Sequence, residues 1–183
     1  MTWPDAAELA IYSGYDFSAA DLTRGELLLE LAIGEVRRFT GQNIAPEVET
    51  SFVEHVWREP YLHLPHPRVI PVTVGEVKVD GEVVDVTRVA LHGGQANMLH
   101  RDDGRLWLGK VEVAYTHGFA EAPDDVRQVV LERAAAMYVN PEAAMQRRRA
   151  DASTAFASSQ AEATGLNESQ KRRLGDYRLT GVA

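Results

Sequence analysis

The sequence predicts an α+β fold: a helical bundle with an inserted small antiparallel β module and an extended C-terminal arm ending in a short helix. Three features carry this expectation. Apolar residues recur at helical spacing over 19–40 and again over 123–140. Between them, from about 50 to 119, the period drops to two. Over 150–165 the composition is small and polar. The expected division is a body at 1–149, with helices at 4–12, 19–40 and 123–140 around the β module, and a linker with a terminal arm at 150–183.

The first helix is expected over 4–12, with Pro4 and Asp5 in its first turn and Gly14 just beyond its end. The second opens at Ser18, an N-cap with Asp21 three residues on as a variant capping box, and Phe17 and Leu22 are spaced for a hydrophobic staple. Leu22, Leu29, Ala32, Val36 and Phe39 fall on one stripe, and Gly41 suits the C′ position.

In the β region, Phe52, Glu54 and Val56 alternate with Val53, His55 and Trp57. Val77-Lys78-Val79 and Glu82-Val83-Val84 flank Asp80-Gly81, a strong hairpin signal. Leu106-Trp107-Leu108 and Val111-Glu112-Val113-Ala114-Tyr115 read as later strands, with Arg101-Asp102-Asp103-Gly104 as a turn. Pro60, Pro65, Pro67 and Pro71 predict that the early strands are short or at an edge.

Helix returns at Pro123-Asp124-Asp125, whose acids favour the macrodipole. Its apolar face is Val126, Val129, Val130, Ala134, Met137 and Tyr138, and Asn140-Pro141 ends or kinks it. Residues 150–165 read as a linker or as a segment that orders only on binding. A last helix is expected from Asn167, as N-cap, through Tyr177, with Leu166, Gln170, Leu174 and Tyr177 on one face. So short a helix needs something to dock on.

Composition narrows the function classes. The chain of 183 residues is 45% hydrophobic, enough to bury a core. Its 27 acidic and 19 basic residues give a formal net charge of −8, unlike a dedicated nucleic-acid binder but compatible with a surface past which DNA slides. The charge is uneven: residues 1–140 carry 12 basic and 22 acidic groups, residues 141–183 carry 7 and 5. With no cysteine, disulfides, thiolate zinc sites and cysteine nucleophiles are excluded. No apolar run approaches the roughly 20 residues that span a bilayer. Met1-Thr2-Trp3-Pro4-Asp5 lacks the pattern of a signal peptide. The expectation is a soluble protein made and kept inside a cell.

No catalytic constellation emerges. There is no Gly-x-Ser-x-Gly elbow, no Walker loop and no Gly-x-Gly-x-x-Gly after a strand. His92-Gly93-Gly94 reads as a glycine turn. His63-Leu64-Pro65-His66 is the nearest approach to a metal pair, but zinc takes three or four ligands at defined spacing. Both read as surface or interface histidines, and His117 as a turn residue at a strand end. Asp102-Asp103 and Asp124-Asp125 are explained by a turn and a helix start. Arg147-Arg148-Arg149 and Lys171-Arg172-Arg173 are either solvated or face phosphate or an acidic protein surface. The expectation is no catalytic residue, no cofactor and no metal. The alternative from another class is a small metal-dependent hydrolase using His63, His66 and His117; a third is a generic binding domain.

Several stretches, in order, carry a resemblance. They are Glu35-Val36-Arg37-Arg38-Phe39-Thr40-Gly41-Gln42, Val77-Lys78-Val79-Asp80-Gly81, Val111-Glu112-Val113-Ala114-Tyr115-Thr116-His117-Gly118-Phe119, Pro123-Asp124-Asp125-Val126 and Gly165-Leu166-Asn167-Glu168-Ser169-Gln170-Lys171-Arg172-Arg173-Leu174. From about residue 18 to the end the chain resembles the head-to-tail connector, or head-completion adaptor, proteins of long-tailed bacteriophages. The resemblance implies a structural virion protein at the head–tail junction, made in the host bacterial cytoplasm. It implies a homo-oligomeric ring of twelve subunits beneath the portal protein, joined to the next connector or tail protein. DNA passes through its channel without specific binding, and neither catalysis, cofactor nor membrane is involved. By analogy the C-terminal segment meets the portal, which makes Arg147, Arg148, Arg149, Leu166, Lys171, Arg172, Arg173, Leu174 and Tyr177 the candidate portal-docking residues. A neighbouring virion role, head closure or tail-terminator attachment, is the alternative within the same class.

Overall fold

A computed structural model describes residues 3–67, 69–94, 97–140 and 165–179. The chain divides into two compact units, one of Met1–Thr40 with Glu121–Gly175 and one of Gly41–Ala120 with Asp176–Ala183. The first holds the helices and the second the sheets, so the β module is inserted between two helices, as expected. The boundary expected at 149/150 and the linker of 150–165 fall, but for Gly165, outside the described residues.

The helical unit contains α1 (Ala6–Ser13), α2 (Ala19–Thr40), α3 (Asp124–Val139) and α4 (Glu168–Arg173). Pro4 and Asp5 precede α1 rather than opening it, because Asp5 is the N-cap of a capping box: the Glu8 amide donates to Asp5 Oδ1 (2.9 Å) and the Asp5 amide to Glu8 Oε2 (3.0 Å). Gly14, at φ 72°, closes α1 in the left-handed conformation. α2 begins as predicted. The Asp21 amide donates to Ser18 Oγ at 3.3 Å, and the Ser18 amide donates back to Asp21 Oδ2 at 3.1 Å.

The buried stripe of α2 is Gly25, Leu28, Leu29, Ala32, Glu35, Val36 and Thr40. Leu22 is exposed and Phe39 half-buried, so the expected stripe is rotated at both ends. Gly25 accounts for the N-terminal part: a Cβ there would lie 3.3 Å from Ala6 Cβ and 3.2 Å from the Phe17 ring, so the missing side chain lets α1 sit close. Phe17 stacks on Tyr138 of α3 with ring centroids 4.7 Å apart. Tyr138 donates its hydroxyl to Asp21 Oδ1 (3.1 Å) and lies under the Arg24 guanidinium (4.8 Å).

The buried face of α3 is Val126, Val129, Val130, Arg133, Ala134 and Met137. Arg133 meets Glu35 of α2 in a two-pronged pair, Nε to Oε2 at 2.7 Å and Nη2 to Oε1 at 3.3 Å, with both side chains buried. Arg127 of α3 reaches Glu8 Oε1 of α1 at 2.5 Å.

Among its described residues the sheet unit has seven strands: β1 (Val48–Glu59), β2 (Tyr61–His63), β3 (Val72–Val79), β4 (Glu82–Val84), β5 (Val89–Leu91), β6 (Met98–Arg101) and β7 (Trp107–His117). They form two antiparallel sheets in the orders β1-β7-β3-β4 and β2-β6-β5. The proline-rich stretch yields only the three-residue β2, at a sheet edge, as its prolines predict. Asp80-Gly81 makes the β3–β4 hairpin with both residues at positive φ, 51° and 85°.

The segments expected as separate strands at 106–108 and 111–115 are one strand. Gly109, at φ 97°, keeps the ladder to β1 continuous and leaves room for the Asp80 carboxylate, which accepts from the Lys110 amide at 2.8 Å. A Cβ on Gly109 would fall 2.2 Å from Asp80 Oδ2.

The sheet core gathers Leu62, Leu64, Val77, Leu99, Trp107, Val111, Val113 and Tyr115. The Trp107 indole donates to the Leu99 carbonyl (3.3 Å), satisfying its one polar atom. Along β1, Phe52 and Val56 pack on this core while Val53, His55 and Trp57 face away, the alternation read from the sequence.

Two stability predictions follow from these contacts. Glu35→Ala removes the carboxylate paired with a buried guanidinium and is expected to cost about 3–5 kcal/mol, whereas Glu35→Leu with Arg133→Met costs far less; urea denaturation followed by helical circular dichroism distinguishes them. Gly109→Ala is expected to cost about 1–3 kcal/mol through backbone strain and the clash with Asp80, read from the same titration followed by tryptophan fluorescence.

Candidate functional site: the C-terminal helix and the histidines

The terminal helix forms for a local reason. Asn167 caps it through a reciprocal pair, the Gln170 amide donating to Asn167 Oδ1 (2.8 Å) and the Asn167 amide to Gln170 Oε1 (3.0 Å). Expected through Tyr177, the α-helix ends at Arg173 and continues as a tight 3-10 turn over Gly175–Tyr177. Its docking surface is α3 of the same chain. Gln170 Nε2 donates to Glu132 Oε2 at 3.2 Å, Arg173 Nη2 bonds the same oxygen, and Leu174 is fully buried.

Burial pushes the Glu132 carboxyl up, but the hydrogen bonds from Arg173 and Gln170 and the Arg173 charge outweigh it and hold the group below its usual range. The hydrogen bond to Glu132 in turn raises Arg173.

The candidate docking residues therefore separate. Arg173 and Leu174 are used within the helical unit. Leu166 is half-buried. Tyr177 belongs to the sheet unit, where its ring meets Phe119 edge-on at 6.2 Å and its carbonyl accepts from the Gln42 amide group. Lys171 pairs with Glu168 (2.6 Å) and keeps a partly exposed ammonium, and Arg172 is exposed. Arg147, Arg148 and Arg149 lie outside the described residues. Glu132, the anchor of the whole segment, was missed in the sequence; its signal is a single acid beside an apolar helix face.

The histidines also separate. His63 is exposed on β2. His66 is buried and lies parallel to His117, centroids 5.9 Å apart at 15°, with Tyr115 5.7 Å from His66. Thr50 Oγ1 is 3.2 Å from His117 Nε2. Stacked imidazoles do not converge on one ion, and among the described residues no group of three or more His, Cys, Asp or Glu is placed to hold a metal. His92 opens a 3-10 turn with Gly93 at φ 56°, the glycine turn read from the sequence, and packs on Tyr61 at 4.3 Å. No helix among the described residues is long and apolar enough to cross a membrane.

The chain shares its fold with a chain from the neck of a GTA particle. That structure is of the neck of an empty GTA particle, a gene transfer agent or phage-like particle, computed with C6 symmetry. The match has a TM-score of 0.54 and 18% sequence identity and covers 97% of this chain and 90% of the other. No protein-family model matches the chain, and no curated protein matches it in sequence.

The His66–His117 stack gives the sheet unit an acid-sensitive point. Burial holds His117 below its ordinary value of 6.5. Well above that pH the ring is neutral whether folded or unfolded, and it adds no pH dependence. Below about 6.5 the unfolded chain takes up a proton that the folded chain resists, so stability falls until His117 protonates in the fold as well. The urea midpoint is expected to be flat between pH 8 and 7 and to drop below about 6.5, and His117→Gln is expected to flatten that drop.

Proposed function

We propose that this chain is a structural subunit of the neck of a phage or phage-like particle, a head-to-tail adaptor that forms a ring beneath the portal and lines the channel through which DNA leaves. The observation that carries the reading is the fold shared with a neck protein over nearly the whole of both chains. The ordered motifs that resemble phage connectors support it independently. A twelve-copy ring contains a six-fold axis, so it is compatible with the symmetry in which the neighbour's neck was computed. The net charge of −8, repeated around a ring, opposes tight binding of DNA in the channel.

The portal contact is assigned to the basic C-terminal segment, with the exposed Arg172, the partly exposed Lys171 and the Arg147-Arg148-Arg149 run meeting an acidic surface. Leu174, buried in the helical unit, secures the segment and is not a free docking group. Removing residues 151–183 would strip this buried residue as well, so charge reversal is the cleaner test. Lys171→Glu with Arg172→Glu is expected to weaken capture of the cognate portal protein by roughly tenfold with the thermal melt unchanged; capture at full strength sinks the assignment. Electron cryo-microscopy of particles is expected to place the chain between portal and tail, and density for it elsewhere overturns the proposed function.

A further inference from the structure

The chain passes between its two units at three places, Thr40–Gly41, Ala120–Glu121 and Gly175–Asp176. The first two passages run side by side. In the sheet unit, β1 and β7 are paired as far as Val48 and His117, and beyond them the Phe119 amide donates to the Ile44 carbonyl at 2.9 Å. In the helical unit, Glu35 meets Arg133 and the Arg24 guanidinium donates to the Tyr138 carbonyl at 3.2 Å. α2 and α3 are therefore antiparallel, and the end of α2 lies beside the start of α3. Two adjacent connecting segments make a hinge, since a few residues at element ends can absorb a change of backbone angle. Each segment carries a glycine in the left-handed region, Gly41 at φ 75° and Gly118 at φ 118°.

The third passage has a foothold in each unit. Before it, Gln170 and Arg173 are bonded to Glu132 of α3, and Leu174 is fully buried. After it, the Gln42 side-chain amide donates to the Tyr177 carbonyl, and the Tyr177 ring meets Phe119 edge-on. Leu179 then lies beside Gly41, where a Cβ would stand 3.6 Å from the Leu179 Cβ. Gly41 and Gln42 belong to the outgoing segment of the hinge, and Phe119 to the returning one. Gly175 and Asp176, both exposed, are all that separates the two footholds.

We propose that residues 166–179 are a strap that splints this hinge. While both footholds are engaged the two units keep one arrangement, and loss of either foothold lets the sheet unit pivot at Gly41 and Gly118 as an intact body. Units joined by short connections move against each other by default. A strap held on both sides removes that freedom while ordering only a short stretch of chain. The footholds differ in chemistry. On the helical side a charge-assisted bond to Glu132 and the buried Leu174 secure α4. On the sheet side the contacts are a neutral hydrogen bond and an edge-on pair of rings. The sheet-side foothold is therefore the weaker, and it is the one that lets go first. Whatever draws the C-terminal segment off it sets the sheet unit free. This device depends on no part of the neck reading.

Because the chain has no cysteine, a nitroxide can be placed on each unit without background, at Leu27→Cys on α2 and Val83→Cys on β4, which are 56% and 66% exposed. Pulsed electron paramagnetic resonance on this full-length parent is expected to give a single narrow distance. Gln42→Ala with Tyr177→Ala removes the sheet-side contacts, and Glu132→Ala removes the polar contacts on the helical side. Each variant is expected to lose the narrow distance and show a broad spread, with helical circular dichroism and tryptophan fluorescence as in the parent. A distance that stays narrow in either variant overturns the proposal, as does a spread already present in the parent. Unfolding of either unit when a foothold is removed also overturns it, because the segment would then maintain the fold and not the arrangement of the units.

Discussion

The helical unit depends on the pair between Glu35 and Arg133. Each charge is tolerable in the interior only because the other is there in two-pronged geometry. That makes the pair a lock on register: if α3 slipped by one turn along α2, both charges would be left in an apolar layer. α3 carries a second instruction in the adjacent residue. Successive helical residues point about 100° apart, so Arg133 turns toward α2 while Glu132 turns toward α4. One dipeptide thus fixes two helices, and α1 completes the unit through Gly25 and the Glu8–Arg127 pair.

The sheet unit is organised differently. Its core is almost wholly apolar, and its irregularities are specified by individual residues, Arg58 at the β1 bulge, Gly75 at the β3 bulge and Gly109 within β7. One face of the four-stranded sheet carries the apolar core. The other carries the Lys110–Glu112 and Lys78–Glu76 pairs beside the apolar corner at Trp57.

Features governed by neighbours in the chain were legible in the sequence. The Ser18–Asp21 box, the Asp80-Gly81 hairpin and the proline-limited β2 are set within a few residues of themselves, and each was read correctly. Features governed by distant partners were not. Leu22 was assigned to the buried stripe because spacing alone cannot report that Gly25 draws α1 to a different line. Glu35 and Arg133 are 98 residues apart, although each is a charge set in an apolar stripe, a signal that could have been paired. The candidate docking residues mixed outward and inward groups for the same reason. Lys171, Arg172 and Arg173 are alike in the sequence, and only Glu132 on another helix makes the third an anchor.

The insertion of the sheets between α2 and α3 also constrains how the chain folds. Closing a flexible loop of nearly a hundred residues to bring Glu35 to Arg133 is entropically costly and slow. A sheet module that has already condensed shortens the effective loop to its two ends at Thr40 and Glu121. Synthesis delivers the parts in a helpful sequence, with α2 emerging first, then the strands, then α3. Until α3 arrives, α2 leaves the ribosome with a buried-type glutamate and an apolar stripe still in water. The helical unit thereby reaches its packed form only after the last third of the chain has been made.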